Sequence, residues 1–83
     1  MFKITFKKSV TKDLKKISKD QVKRILDKIE TNLSTSPEQF PELKGKFAGL
    51  RKYRVGNYRI IFAILEGNTV LITRVKHRKE SYK

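Results

Sequence analysis

The sequence predicts an α+β fold of order β-α-α-β-β-β: a largely antiparallel four-stranded sheet with a helical hairpin packed on one face. Three observations carry that prediction. Apolar residues alternate with period two at the N-terminus and recur at helical spacing from Val10 to Leu33. From Leu43 the chain returns to β-forming runs. Two Gly-Asn pairs, Gly56-Asn57 and Gly67-Asn68, divide those runs into three strands.

Each element has a local reason. Phe2, Ile4 and Phe6 alternate with Lys3, Thr5 and Lys7, which predicts a short strand burying one face. Val10, Leu14 and Ile17 follow at i, i+4, i+7, a narrow helical stripe. Ser18-Lys19-Asp20-Gln21 has the pattern of a capping box, with Ser18 as N-cap and Gln21 at N3. The helix it opens carries Val22, Ile25, Leu26, Ile29 and Leu33, all within an arc of roughly 100°. Two prolines between Ser34 and Pro41 end it. The three later strands are expected over 50–55, 58–66 and 69–76, with Gly45 and Gly49 in an irregular lead-in.

Composition bounds what such a chain can do. Its 83 residues make a single domain, 1–83, without room for a second. A chain of this size buries roughly 64% of its unfolded surface, enough for one modest core and no deep cofactor cavity. With no Cys and a single His, disulfides, thiolate metal sites, cysteine nucleophiles and any site needing two histidines are excluded, and no small-molecule cofactor is expected. No apolar run approaches the length of a membrane span. Met1 to Phe6 contains no apolar signal core, and the expected location is the cytoplasm. Lys and Arg number 21 against 8 Asp and Glu, a net charge of +13 that favours a polyanionic partner.

Counting across the two turns as two-residue hairpins gives the register. Val55 then faces Tyr58, Arg54 faces Arg59, Glu66 faces Thr69, Ile61 faces Arg74, and Arg59 faces Lys76. One face collects Tyr53, Val55, Tyr58, Ile60, Phe62, Ile64, Leu71 and Val75 and should receive the helix stripes. Tyr53 and Tyr58 read as core aromatics. The other face collects Lys52, Arg54, Arg59, Arg74 and Lys76, and Arg78 joins them if the strand continues. Like charges directly opposite one another destabilise a strand pair. Residues 43–65 contain no Asp or Glu to separate them. A line of phosphates would supply the missing counterions and suits the planar fork of guanidinium. The lysines on the helices read as a solvated face.

The segment from Leu50 to Phe62, with its Arg54-Val55-Gly56-Asn57-Tyr58-Arg59 hairpin, resembles the central hairpin of the RelE/ParE toxin superfamily. The ending Arg74-Val75-Lys76-His77-Arg78-Lys79-Glu80-Ser81-Tyr82 is similar to that family's last strand and tail, and the order of elements matches over the whole chain. The resemblance to the RelE branch implies the toxin of a type II toxin–antitoxin pair that enters the ribosomal A site and cuts mRNA. In that reaction the RNA's own 2′-hydroxyl attacks, leaving a 2′,3′-cyclic phosphate and a 5′-hydroxyl, and no metal is needed. By the same resemblance Lys52 and Arg54 stand near the attacking hydroxyl, Arg59 contacts the scissile phosphate, and Arg78 serves the leaving 5′-oxygen. Tyr82 stacks on or orients a base, a role open to any aromatic face. Lys76 and Arg74 are expected to add RNA contacts.

The chain departs from the best-described members, which carry lysine where Arg54 stands and commonly glycine where Lys76 stands. Arginine stays protonated and is a poor general base, so Lys52 is the better candidate if any side chain removes the proton; base-free electrostatic catalysis is the reading preferred to it. His77 is a further catalytic candidate, since a sister branch uses a C-terminal histidine. By register, however, it points toward Tyr58 and away from Arg59, as a structural histidine would. The implied partners are a cognate antitoxin, the ribosome and mRNA. Two other readings stand beside this one: a ParE-like inhibitor of DNA gyrase that cleaves nothing, and a non-catalytic RNA- or ribosome-binding protein.

Overall fold

The computed structural model describes residues 1–77 and 79. Strand β1 (Lys3–Phe6) leads into helix α1 (Lys8–Lys15) and helix α2 (Lys19–Leu33). Two short 3₁₀ turns, Pro37–Gln39 and Gly45–Phe47, carry the chain to β2 (Arg51–Val55), β3 (Tyr58–Leu65) and β4 (Thr69–His77). The strands lie in the order β1-β4-β3-β2. β1 runs parallel to β4, and the other two pairings are antiparallel. The fold is therefore the expected α+β arrangement, and the first strand sits beside the last.

The helices form one half of the core and the sheet forms the other. Val10, Ile25, Ile29 and Leu33 meet Val55, Ile60, Phe62, Val70, Ile72 and Val75, all buried. Phe2, Ile4, Tyr53, Tyr58 and Ile64 pack around that cluster. Phe6 does not join it: at the end of β1 it stands 46% exposed. Ser18 occupies the N-cap position of α2 in extended conformation, but its hydroxyl makes no capping bond. Its carbonyl starts the helix by accepting the Val22 N–H at 2.9 Å.

The first hairpin has the expected register, Val55 opposite Tyr58 and Arg54 opposite Arg59. Gly56 turns it with φ of 58° while Asn57 keeps a negative φ, the sign pattern of a type II′ turn. The second hairpin differs from the count. Leu65, not Glu66, faces Thr69, so the loop is Glu66-Gly67-Asn68, with Gly67 at φ 73° and Asn68 at φ 53°. That one-residue shift puts Val70 and Ile72 on the core face and Leu71 on the other. A bulge then intervenes: Phe62 pairs with Ile72 and Ile61 with Arg74, leaving Thr73 as the extra residue. The bulge cancels the shift, and beyond it Ile60 faces Val75 and Arg59 faces Lys76, as expected.

Candidate nucleic-acid interface

Side chains alternate along a strand, so the core residues fix where their neighbours point. Tyr53, Val55, Ile60 and Val75 face the helices. Lys52, Arg54, Arg59 and Lys76 therefore project from the side opposite α1 and α2. Arg54, Arg59 and Lys76 form one row across β2, β3 and β4. Val55 and Tyr58 close a two-residue hairpin, so Arg54–Arg59 is the non-hydrogen-bonded pair next to them, with Cα atoms about 4.5 Å apart. Arg59–Lys76 is the hydrogen-bonded type, about 5.5 Å apart, because the Val75 N–H beside it points away from β3. Three cationic stems thus leave the sheet within about 10 Å. Lys52, opposite Ile61, stands one step along. From Arg51 to Leu65 there is no acidic residue.

The surroundings of these residues differ. Arg54 is exposed, and its Nε donates to the Gly56 carbonyl at 3.3 Å. Lys52, Arg59 and Lys76 are half-buried. Arg74 is drawn away from the row. Its Nε and Nη2 donate to the two carboxylate oxygens of Asp13 on α1, at 2.9 and 3.0 Å. Residues 43–65 offer Arg74 no carboxylate, and its counterion comes instead from a helix on the sheet's flank. Asp13 is 7% exposed and also accepts the Val75 N–H at 3.0 Å. Burial opposes ionisation there. The hydrogen bonds from Arg74 and Val75 and the charges of Arg74 and Lys76 outweigh it, so the Asp13 carboxyl titrates below the ordinary carboxylate range.

His77 lies where the register puts it. Its ring meets Tyr58 edge-to-face at 5.3 Å between centroids, on the side opposite Arg59. It lines a small cavity of about 150 Å³ with Asp13, Lys16, Ile17, Tyr58 and Val75. Its Nδ1 accepts the Lys79 N–H at 3.2 Å. Arg78 and Tyr82 lie outside the described residues. Arg51, adjacent to the predicted set, has a bracing contact: its guanidinium donates to the carbonyls of Glu38 and Phe40 at 3.1 and 2.8 Å. Sequence reasoning missed Asp13. The signal was present, because Val10, Asp13, Leu14 and Ile17 occupy i, i+3, i+4 and i+7, and an acid at i+3 of an apolar stripe faces inward.

Residues 4–82 match the family described as ParE toxin of type II toxin-antitoxin system, parDE. No curated protein matches the chain by sequence. Among solved structures, the chain is 28% identical to one in the toxin–antitoxin complex RelBE2 from Mycobacterium tuberculosis, with a TM-score of 0.86, covering 93% of this chain and 98% of that one. It is 32% identical to one in the RelB–RelE antitoxin–toxin complex from Methanococcus jannaschii, with a TM-score of 0.66 and 94% of each chain covered. A chain of the chromosomal ParDE system from P. aeruginosa shares the fold at a TM-score of 0.71 and 15% identity, covering 93% of this chain and 96% of that one.

Proposed function

The chain belongs to the ParE toxin family of type II toxin–antitoxin systems, within the RelE/ParE superfamily, and from that premise we propose that it is a RelE-like endoribonuclease that cuts mRNA in the ribosomal A site. The observation that carries this reading is the row Arg54–Arg59–Lys76, with Lys52 beside it, on the sheet face opposite α1 and α2. Cross-strand cations at this spacing repel one another, and a phosphate backbone relieves the repulsion. The relatives above a quarter identity named here come from RelB–RelE-type complexes, whereas the ParDE neighbour shares the fold alone.

The chemistry suits the residues. The RNA 2′-oxygen attacks the adjacent phosphorus, the bond to the 5′-oxygen breaks, and the products are a 2′,3′-cyclic phosphate and a 5′-hydroxyl. The transition state carries more charge on the phosphoryl oxygens than the ground state does. Fixed cations therefore stabilise it preferentially. Arg59 is assigned to the scissile phosphate, Lys52 and Arg54 to the attacking side, and Lys76 to the flanking backbone. Arg78 is assigned to the leaving oxygen and Tyr82 to a base. Arg74 is better read as a structural partner of Asp13 than as an RNA ligand. The proposed partners are the ribosome with its mRNA and an acidic antitoxin from the same operon.

Mapping mRNA 5′ ends in a translating extract tests the proposal. The wild type should create new 5′-hydroxyl ends at A-site codons, and Arg59→Ala should create none. Unchanged mRNA together with a loss of gyrase supercoiling would establish the ParE-like reading instead.

A further inference from the structure

β1 ends at Phe6, opposite Ile72, and the Lys7 N–H closes that pairing on the Ile72 carbonyl at 2.9 Å. Beyond this point, among the described residues, no strand pairs with the outer edge of β4. Side chains of α1 take over: the Ser9 hydroxyl donates to the Thr73 carbonyl at 2.7 Å, and the Asp13 carboxylate accepts the Val75 N–H at 3.0 Å. Spacing explains why a helix can do this. Residues four apart on a helix rise about 6 Å, close to the roughly 6.7 Å between alternate residues of a strand. Ser9 and Asp13 on α1 thus match Thr73 and Val75 on β4, a donor to the carbonyl and an acceptor for the N–H. Asp13 also draws the Arg74 guanidinium over the strand edge onto α1.

We propose that Asp13 is a positioning residue for the phosphate-binding row: by holding the edge of β4 after the Thr73 bulge it sets where Lys76 stands beside Arg59, and by occupying Arg74 it keeps a further cation out of the row. The inference rests on the ribonuclease reading for its catalytic consequence. Its structural part stands by itself. A bulge leaves its extra residue unpaired and disrupts the ladder locally, and a slip of one residue there would send every later side chain to the opposite face. Val75 would then leave the core, where it is 2% exposed, and Lys76 would leave the row.

The test uses the full chain with Asp13→Ala and Asp13→Asn, the second keeping an uncharged acceptor for the Val75 N–H. Circular dichroism establishes that each variant is folded, and Asp13→Asn carries the test if Asp13→Ala is not. Two quantities are read on programmed ribosomes: affinity, and the single-turnover cutting rate at saturation. Displacing a catalytic group by about 1 Å costs on the order of 100-fold in rate. Asp13→Ala should therefore lose about that much rate and, because Lys76 also meets the flanking phosphate, show a salt slope of RNA affinity shallower by about 0.7; Asp13→Asn should lose about 10-fold in rate. A folded Asp13→Ala that cuts like the wild type overturns the proposal. A readout without RNA accompanies this: amide exchange at Val75 through His77 should speed at least about 10-fold in Asp13→Ala while Ile60 and Phe62 hold. Unchanged exchange at Val75 overturns the positioning itself. A wild type that releases no fragments sinks the ribonuclease reading, and exchange alone then decides by the same two outcomes whether Asp13 holds β4.

Discussion

Asp13 has a consequence that pH can expose. Its carboxyl is held below the ordinary carboxylate range, so ionised Asp13 favours the folded chain. That contribution is complete above about pH 4, the ordinary carboxyl value. It is lost as pH falls through the lower value of the folded state. Hydrogen bonds to a charged group contribute about 1.5–3 kcal/mol, so Asp13→Asn should cost about 2 kcal/mol at pH 7. Urea unfolding of both proteins from pH 7 down to pH 2 should show the gap narrowing below about pH 4. A gap constant with pH would mean that Asp13 acts by shape and not by charge. Lys52 poses a different question at the same scale. If its role in the proposed reaction is to supply charge, Lys52→Arg keeps the cutting rate within about 10-fold, while Lys52→Met loses about 100- to 1,000-fold, the range for deleting one electrostatic contact to a transition state. Equal loss in both variants would assign Lys52 to proton removal.

Between elements, a polar contact ties the helices to the strand that begins the cationic row. The Asn32 side chain of α2 donates to the Tyr53 hydroxyl of β2 at 2.7 Å, and the Tyr53 ring packs on Phe40 at 4.7 Å between centroids. Tyr53→Phe keeps the ring and removes the acceptor. It should cost about 1 kcal/mol and lower Tm by about 4–8 °C for a domain of this size. An unchanged Tm would show the contact to be neutral. The helix and strand boundaries were legible in the sequence because a change of hydrophobic period and a Gly-Asn turn are local signals. The second hairpin was only half legible. Its three-residue loop moved Val70 and Ile72 inward in place of Leu71. The Thr73 bulge then reversed the slip, which is why the Arg59–Lys76 pairing could still be counted correctly from the wrong loop. The partnership of Asp13 with Arg74 joins residues 61 positions apart, and no local pattern specifies it. The same is true of the parallel pairing of β1 with β4.

On the scale of the whole molecule, charge and size set two salt dependences of opposite sign. The molecule measures 32 × 28 × 22 Å and carries +13. At 0.01 M salt the screening length is about 30 Å, so every cation feels every other; at 0.15 M it is about 8 Å and only neighbours interact. Self-repulsion weakens the compact state, so Tm should rise between those concentrations. Affinity for RNA should fall over the same interval, because each phosphate neutralised releases condensed counterions. The slope of log affinity against log salt identifies which cations do the neutralising, since each contact to single-stranded RNA contributes about −0.7. Replacing Arg54 and Lys76 together by Gln should make the slope shallower by about 1.4. Replacing the exposed helix residues Lys12 and Lys28 by Gln lowers the net charge equally and should leave the slope nearly unchanged. Salt titrations of a short single-stranded RNA against the three proteins separate a site from a field. Equal changes in slope for both pairs would mean that the RNA senses only total charge, and the row on the sheet would lose its claim to be the contact.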